Sequence, residues 1–255
     1  MLFNSFDFGF FLVIAYAIYW LLGSNRRTYQ NLLLLIASYL FYGLWDWRFL
    51  GLLVVSSLID YLAGRAISSA KKKNSKKLWL YGSIFWNIGI LFTFKYFNFF
   101  VNEFTALFSS EGVSTSFTIW NVIIPLGLSF YTFQTMSYTI DVYKGRIQPT
   151  KNLLEFLCFV SYFHQLVAGP IEREKFLLPQ FEKSRIFKYQ SSADGLRLIL
   201  AGLFQKMVIA DNCAFFANII FDTYQEQSGS TLFLGAVFFA FQIYGDFAGY
   251  SNIAI

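Results

Sequence analysis

Residues 126–145, LGLSFYTFQTMSYTIDVYKG, decide how the chain is read. They are too apolar for a soluble loop and too polar for an inert membrane anchor. On a helix, Gly127, Tyr131, Gln134, Tyr138 and Asp141 recur at steps of four, three, four and three, which places them on one polar stripe. Phe130, Phe133 and Ile140 fall mostly off it. Pro125 and Gly145 bracket the segment. A polar stripe on such a helix either lines a cavity or makes hydrogen bonds to neighbouring helices, which typically contribute under about 1–2 kcal/mol each.

The surrounding composition favours a membrane setting. The chain of 255 residues is 56% hydrophobic and 22% aromatic but only 14% charged, against about one quarter charged in soluble domains. Several apolar runs reach or approach the roughly 20 residues that cross a bilayer core. They are continuous and do not alternate at period two, which argues against a transmembrane barrel. The expected fold is all-α: a polytopic helical membrane protein of about six spans plus a re-entrant segment, in a single integral-membrane domain covering 1–255. Residues 1–22 lack a basic start and a cleavage site and read as a retained first helix.

Apolar runs lie at 6–22, 31–45, 49–67, 78–100, 198–222 and 231–255, and the striped helix returns inward from about 119 to 142. Basic residues fall in the short loops between them, so they set topology and do not suggest nucleic acid. Lys71, Lys72, Lys73, Lys76 and Lys77 form the most basic loop, which the positive-inside rule places in the cytoplasm. Counting spans back from it puts Arg26 and Arg27 inside, and Trp45–Arg48 and the N-terminus outside. Residues 153–168 are apolar, break at Gly169-Pro170 and have basic flanks on both sides, so the segment is expected to enter from the cytoplasm and return there. Residues 172–197 are expected to be a mixed-charge cytoplasmic segment. Cys158 and Cys213 lack metal-type or disulfide spacing and read as buried thiols, and no metal site is expected.

Polar residues inside a membrane are expensive and mark candidate sites. Besides the stripe, two clusters stand out. One is His164 and Gln165 beside Gly169 and Pro170. The other is Gln242, Asp246 and Gly249, again one helical face, followed by Tyr250, Ser251 and Asn252. His164 has the ordinary pKa of a general base near neutrality, but no nucleophile or carboxylate stands at a helpful spacing, and capping a turn is the simpler role.

Four blocks in order, LGLSFYTFQTMSYTIDVYKG, FVSYFHQLVAGPIEREKFLLPQF, GLFQKMVIADN and IYGDFAGYSNIAI, resemble the membrane-bound O-acyltransferase family. Together with ASYLFYGLWDWRFL at 37–50 they are most similar to its bacterial polysaccharide branch, typified by the alginate O-acetyltransferase membrane subunit. The resemblance implies transfer of an acetyl group from a cytoplasmic donor, acetyl-CoA, to an extracytoplasmic polysaccharide across the cell's inner membrane, with an extracytoplasmic acetyltransferase partner and no bound cofactor. It makes Tyr131, Gln134, Tyr138, Gln165, Gly169, Pro170, Gln242, Asp246, Gly249, Tyr250 and Ser251 candidates for lining a substrate path. The family's catalytic histidine lies in a Trp-His-Gly-type motif and a second follows an Arg-Trp-His-type motif; neither motif occurs in these residues. His164 stands where relatives commonly carry proline and inherits no role. The chain is therefore expected to be the N-terminal part of an acyltransferase, inactive alone, its catalytic histidine lying beyond Ile255. A transporter or channel lined by the polar stripes, or a non-catalytic membrane scaffold, are the alternatives; no inverted repeat supports the first.

Overall fold

The computed structural model describes residues 3–23, 25–109, 123–166 and 173–254, and among these every regular element is helical. The α-helices are α1 (Phe6–Leu21), α2 (Arg27–Ser69), α3 (Lys73–Ser109), α4 (Leu128–Tyr143), α5 (Leu153–Ser161), α6 (Phe163–Leu166), α7 (Glu174–Glu182), α8 (Tyr189–Phe204), α9 (Asp211–Asp222) and α10 (Gly229–Ala254). A π-helical segment, Gln205–Ala210, joins α8 to α9. Among the described residues, four helical stretches are long and apolar enough to cross a membrane: Arg27–Ser69, Lys73–Val101, Tyr189–Asp222 and Gly229–Ala254. This is an all-helical, multi-pass membrane architecture.

Polarity is inverted in the way lipid requires. Ser56, Ser57, Asp60, Ser83, Asn87, Thr132, Thr135 and Thr139 are buried, whereas Phe6, Leu21, Phe85 and Phe233 are among the most exposed side chains. Helices satisfy their own backbone hydrogen bonds, which suits an apolar exterior against hydrocarbon.

The 43-residue α2 is two helices in one. At about 1.5 Å per residue it would reach about 65 Å, twice a bilayer core. Asp46 interrupts it with extended backbone (φ −159°, ψ 109°). The Asp46 carboxylate accepts a hydrogen bond from the Arg48 backbone N–H at 3.0 Å and from Arg48 Nε at 2.9 Å. That is the backbone and side-chain geometry of a helix N-cap, so residues 47–69 start a new helix where the second and third apolar runs divide.

Several boundaries differ from the sequence expectation; α3 already begins at Lys73, so Lys73, Lys76 and Lys77 of the expected loop lie in its first turns. The striped helix begins at Leu128, because Gly127 sits in the left-handed region (φ 71°) and Leu126–Gly127 form a turn after Pro125. Its 16 residues reach about 24 Å, short of a full span; 119–122 lie outside the described residues. The outgoing run starts at Tyr189, not 198, giving a continuous 34-residue stretch to Asp222 whose first turns carry Asp194 and Arg197 in an exposed 2.7 Å ion pair. Cys213 is only partly covered, while Cys158 is buried as expected. The segment expected to be re-entrant holds the nine-residue α5 and the four-residue α6, separated at Tyr162 and each too short to span. Its Gly169-Pro170 break lies outside the described residues.

The chain divides into two units. The first comprises residues 1–37, 163–170 and 183–255; in it α10 packs along α8, the π segment and α9. The second comprises 38–162 and 171–182; in it α4 packs on α3, and α7 on α5 and α4.

Candidate functional site

In the first unit, the close approach of two helices builds the site. Gly245 and Gly249 stand four apart on α10, the small-xxx-small spacing that lets membrane helices come together. A Cβ on Gly249 would lie 2.8 Å from the Gly202 carbonyl oxygen, and one on Gly202 would lie 2.5 Å from the Gly249 carbonyl oxygen. Gly245 is close but less tight: a Cβ there would lie 3.0 Å from Ala210 Cβ and 3.1 Å from the Gln205 carbonyl oxygen. The face read from the sequence as Gln242, Asp246 and Gly249 is therefore the face α10 turns to the π segment.

Asp246 reaches Lys206 there, with Nζ 2.6 Å from Asp246 Oδ1 and 2.7 Å from Asp211 Oδ1. Lys206 and Asp211 are five apart. In an α-helix that separation points side chains apart, but the i→i+5 repeat of a π-helix stacks them. The π segment is thus what assembles one ammonium between two carboxylates. Lys206 Nζ also lies 5.7 Å from the Tyr250 ring centroid, and Tyr250 packs edge-on to Phe3 at 5.9 Å. Asn252 Nδ2 donates to Gln205 Oε1 at 2.8 Å, fixing the end of α10 to the start of the π segment. Gln242 Oε1 is enclosed without a hydrogen-bond partner among the described residues. Ser251 is half-buried and takes no part in these bonds.

The triad sits near the middle of two membrane-length helices, yet Asp211 is 47% and Asp246 29% exposed, against 15% for Lys206. Ionisable groups at that depth face protein or a water-filled cavity and not lipid. Chemically, the carboxylates hold the ammonium in place, and its third N–H remains for another acceptor. Gln165, on α6, is buried in this unit, where α6 also touches α10; the His164 ring lies tilted against that of Phe163 with centroids 4.0 Å apart, and Phe163 in turn meets Phe11 edge-on at 5.3 Å. That aromatic packing gives His164 a structural setting.

The stripe of α4 lies in the second unit. Tyr131, Gln134 and Tyr138 are buried at 1%, 5% and 0% exposure. Gln134 Nε2 donates to the Phe159 carbonyl of α5 at 3.0 Å, and the Tyr138 ring lies 4.8 Å from that of Phe156. Tyr138 also covers Gly64 of α2, where a Cβ would come within 2.7 Å of its ring. At the end of the stripe, Asp141 accepts from Arg146 at 3.1 Å and faces Glu174 of α7. Burial, then the hydrogen bond and charge of Asp141, push the Glu174 carboxyl up to about 7. Gly169 and Pro170 fall outside the described residues.

Sequence reasoning missed Lys206, Asp211 and Gln205 as site members. The polar residues of GLFQKMVIADN were visible as charges within an apolar run, but pairing Lys206 with Asp246 spans 40 residues and needs the π turn.

No family model matches the chain. A Pseudomonas putida protein named "Probable alginate O-acetylase" is 38% identical over 100% of this chain and 52% of its own length. One of the same name from Azotobacter vinelandii is 37% identical over 100% and 50%. A Helicobacter pylori "Peptidoglycan O-acetyltransferase" is 32% identical over 97% and 50%. The chain spans about half the length of the curated relatives it matches. Over its whole length the chain is similar to about half of each of these bacterial O-acetylases, in line with the sequence blocks that resemble the membrane-bound O-acyltransferases.

Proposed function

We propose that these residues form the N-terminal part of a membrane O-acyltransferase that takes an acetyl group from acetyl-CoA at the cytoplasmic face and passes it toward an extracytoplasmic polysaccharide. The observation that carries this reading is the mid-membrane Lys206–Asp211–Asp246 triad with its open flank, in a chain homologous throughout to named O-acetylases. A polar flank at that depth fits a hydrated path for acyl donor and acceptor. The third Lys206 N–H would hold an acyl carbonyl or a donor phosphate, while Asp211 and Asp246 keep the ammonium from swinging away. Tyr250, Ser251, Gln242 and Gln165 would line the same path; Tyr131, Gln134, Tyr138, Gly169 and Pro170 are proposed as further substrate-lining residues on the family resemblance alone. In this reading the protein sits in the inner membrane with its N-terminus outside and Lys71–Lys77 cytoplasmic. The catalytic histidine comes from the part of the relatives that these residues do not cover, and an extracytoplasmic acetyltransferase receives the acetyl group.

The test is complementation. The reading frame holding these residues, extended to its stop codon, is expressed in a strain lacking its alginate O-acetylase, and acetyl ester per uronate is measured. Restored acetylation that K206M abolishes without loss of membrane insertion is expected. Full insertion with no acetylation of alginate or peptidoglycan overturns the assignment. Residues 1–255 alone are expected to insert without transferring labelled acetyl from acetyl-CoA.

A further inference from the structure

The second unit buries a carboxylate to which the proposed function gives no role. Asp60 is fully buried in the second half of α2, and its partners come from α3, through Ser83 and Asn87, and from α4, through Thr135. Asn87 Nδ2 donates to Asp60 Oδ1 at 3.0 Å and Oδ2 at 2.9 Å, and also to the Ser83 carbonyl at 2.9 Å, which uses both its amide hydrogens. Thr135 Oγ1 donates to the Thr132 carbonyl at 3.2 Å and lies 3.5 Å from Asn87 Oδ1. Thr139 Oγ1 donates to the Met136 carbonyl at 3.0 Å. Ser83 Oγ lies 2.5 Å from Asp60 Oδ1 and 3.2 Å from Thr139 Oγ1.

Two counts follow. The first is charge: every described partner of Asp60 is neutral, and a lone buried carboxylate in a low-dielectric interior is prohibitively costly. The titratable groups on the elements around it do not neutralise it. Arg65 of α2 is exposed and donates to Tyr61 at 3.3 Å; Tyr81 of α3 is exposed; on α4, Tyr131 and Tyr138 are phenols and Asp141 is paired with Arg146. The second is hydrogens. Ser83 has one hydroxyl hydrogen but two oxygen neighbours, and Thr139 has already given its own to Met136. If Ser83 donates to Asp60, no hydrogen lies between Ser83 and Thr139. With one positive charge added at Asp60, the chain closes. A proton there lets Asp60 donate to Ser83, Ser83 to Thr139 and Thr139 to the Met136 carbonyl, one hydrogen per link. A sodium ion there would find only hard oxygen ligands: Asp60, Ser83, Thr139 and, with its amide turned over, Asn87 Oδ1.

We propose that Asp60, Ser83, Asn87 and Thr139 form a monovalent-cation site inside the second unit, filled by a proton or a sodium ion. The site ties α2, α3 and α4 together only when occupied.

The test uses the full chain in lipid nanodiscs, with infrared spectra and thermal midpoints recorded in sodium-free choline buffer and at rising sodium chloride of constant ionic strength. A proton site shows a protonated carboxylic acid band in choline buffer that D60N removes, with a midpoint indifferent to sodium. A sodium site shows a midpoint that climbs with each tenfold rise in sodium in the wild type and not in D60N. If D60N does not fold, S83A makes the assignment. It shifts the acid band to that of a free carboxyl, or weakens sodium dependence at least tenfold. An ionised carboxylate in choline buffer, with a midpoint independent of sodium, overturns the proposal.

Discussion

Replacing Gly249 by alanine tests whether backbone contact between α10 and the α8–π–α9 run holds the triad. The added methyl would lie 2.8 Å from the Gly202 carbonyl oxygen and 3.1 Å from both the Lys206 amide nitrogen and its Cβ. Ordinary carbon–oxygen contacts between helices lie near 3.3–3.6 Å, so the methyl intrudes by about 0.5–0.8 Å. Two of the three obstructing atoms are backbone, so no side chain can rotate to make room and the helices must part. Overpacking of this kind costs about 1–3 kcal/mol, or about 5- to 150-fold in the ratio of folded to unfolded protein. Gly195 is the control: it lies inside α8 with nothing within 4 Å of a would-be Cβ, so G195A gains helix propensity of up to about 1 kcal/mol. Unfolding in mixed micelles, followed by tryptophan fluorescence, should place G249A below the wild type and G195A at or above it. G249A unfolding at the same denaturant fraction as G195A would refute the close approach and the triad geometry resting on it.

Three further outcomes are expected. D46A removes the cap of the helix starting at residue 47, so amide exchange at Trp47–Phe49 should quicken, while D46N, which keeps an acceptor oxygen, should stay near the wild type. Glu174 titrates near 7 when folded against 4.5 for a free side chain, so the folded state holds the extra proton between these values. Stability should therefore fall as pH rises from about 4.5 to 7 and level off above, and E174Q should flatten that slope in thermal scans. Q134L leaves the Phe159 carbonyl without its donor and should cost about 0.6 kcal/mol, at most about 2, in the same micelle titration.

How much of this was legible in the sequence depends on the range of the interaction. The division of α2 was readable, because two apolar runs flank a polar, aromatic turn; that the turn is one capping residue, Asp46, was not, since the same letters suit an interfacial belt. The stripe on α4 was readable by its spacing, and its residues do share a buried face. Its start was not: Pro125 and Gly127 were visible as breakers, but the apolar run simply continues through them. The face of α10 was likewise plain from steps of four and three. Periodicity says only which residues share a face, however, never what that face meets.

The triad shows why that distinction matters for function. Asp246 in a span can be rescued by any cation that another helix brings, and several lysines and arginines were available. Lys206 is chosen because Gly245 and Gly249 let α10 approach within backbone contact just where a π turn swings Asp211 under Lys206. Each requirement alone is weak: small residues are common in membrane helices, and an isolated ion pair is often no more than structural. Their coincidence is more informative, because a π turn forfeits regular hydrogen bonding and recurs at functional sites. A purely structural pair would need neither the irregular backbone nor a half-exposed second carboxylate. The geometry thus gathers three charged groups near the middle of two membrane-length helices while leaving Asp211 half-exposed.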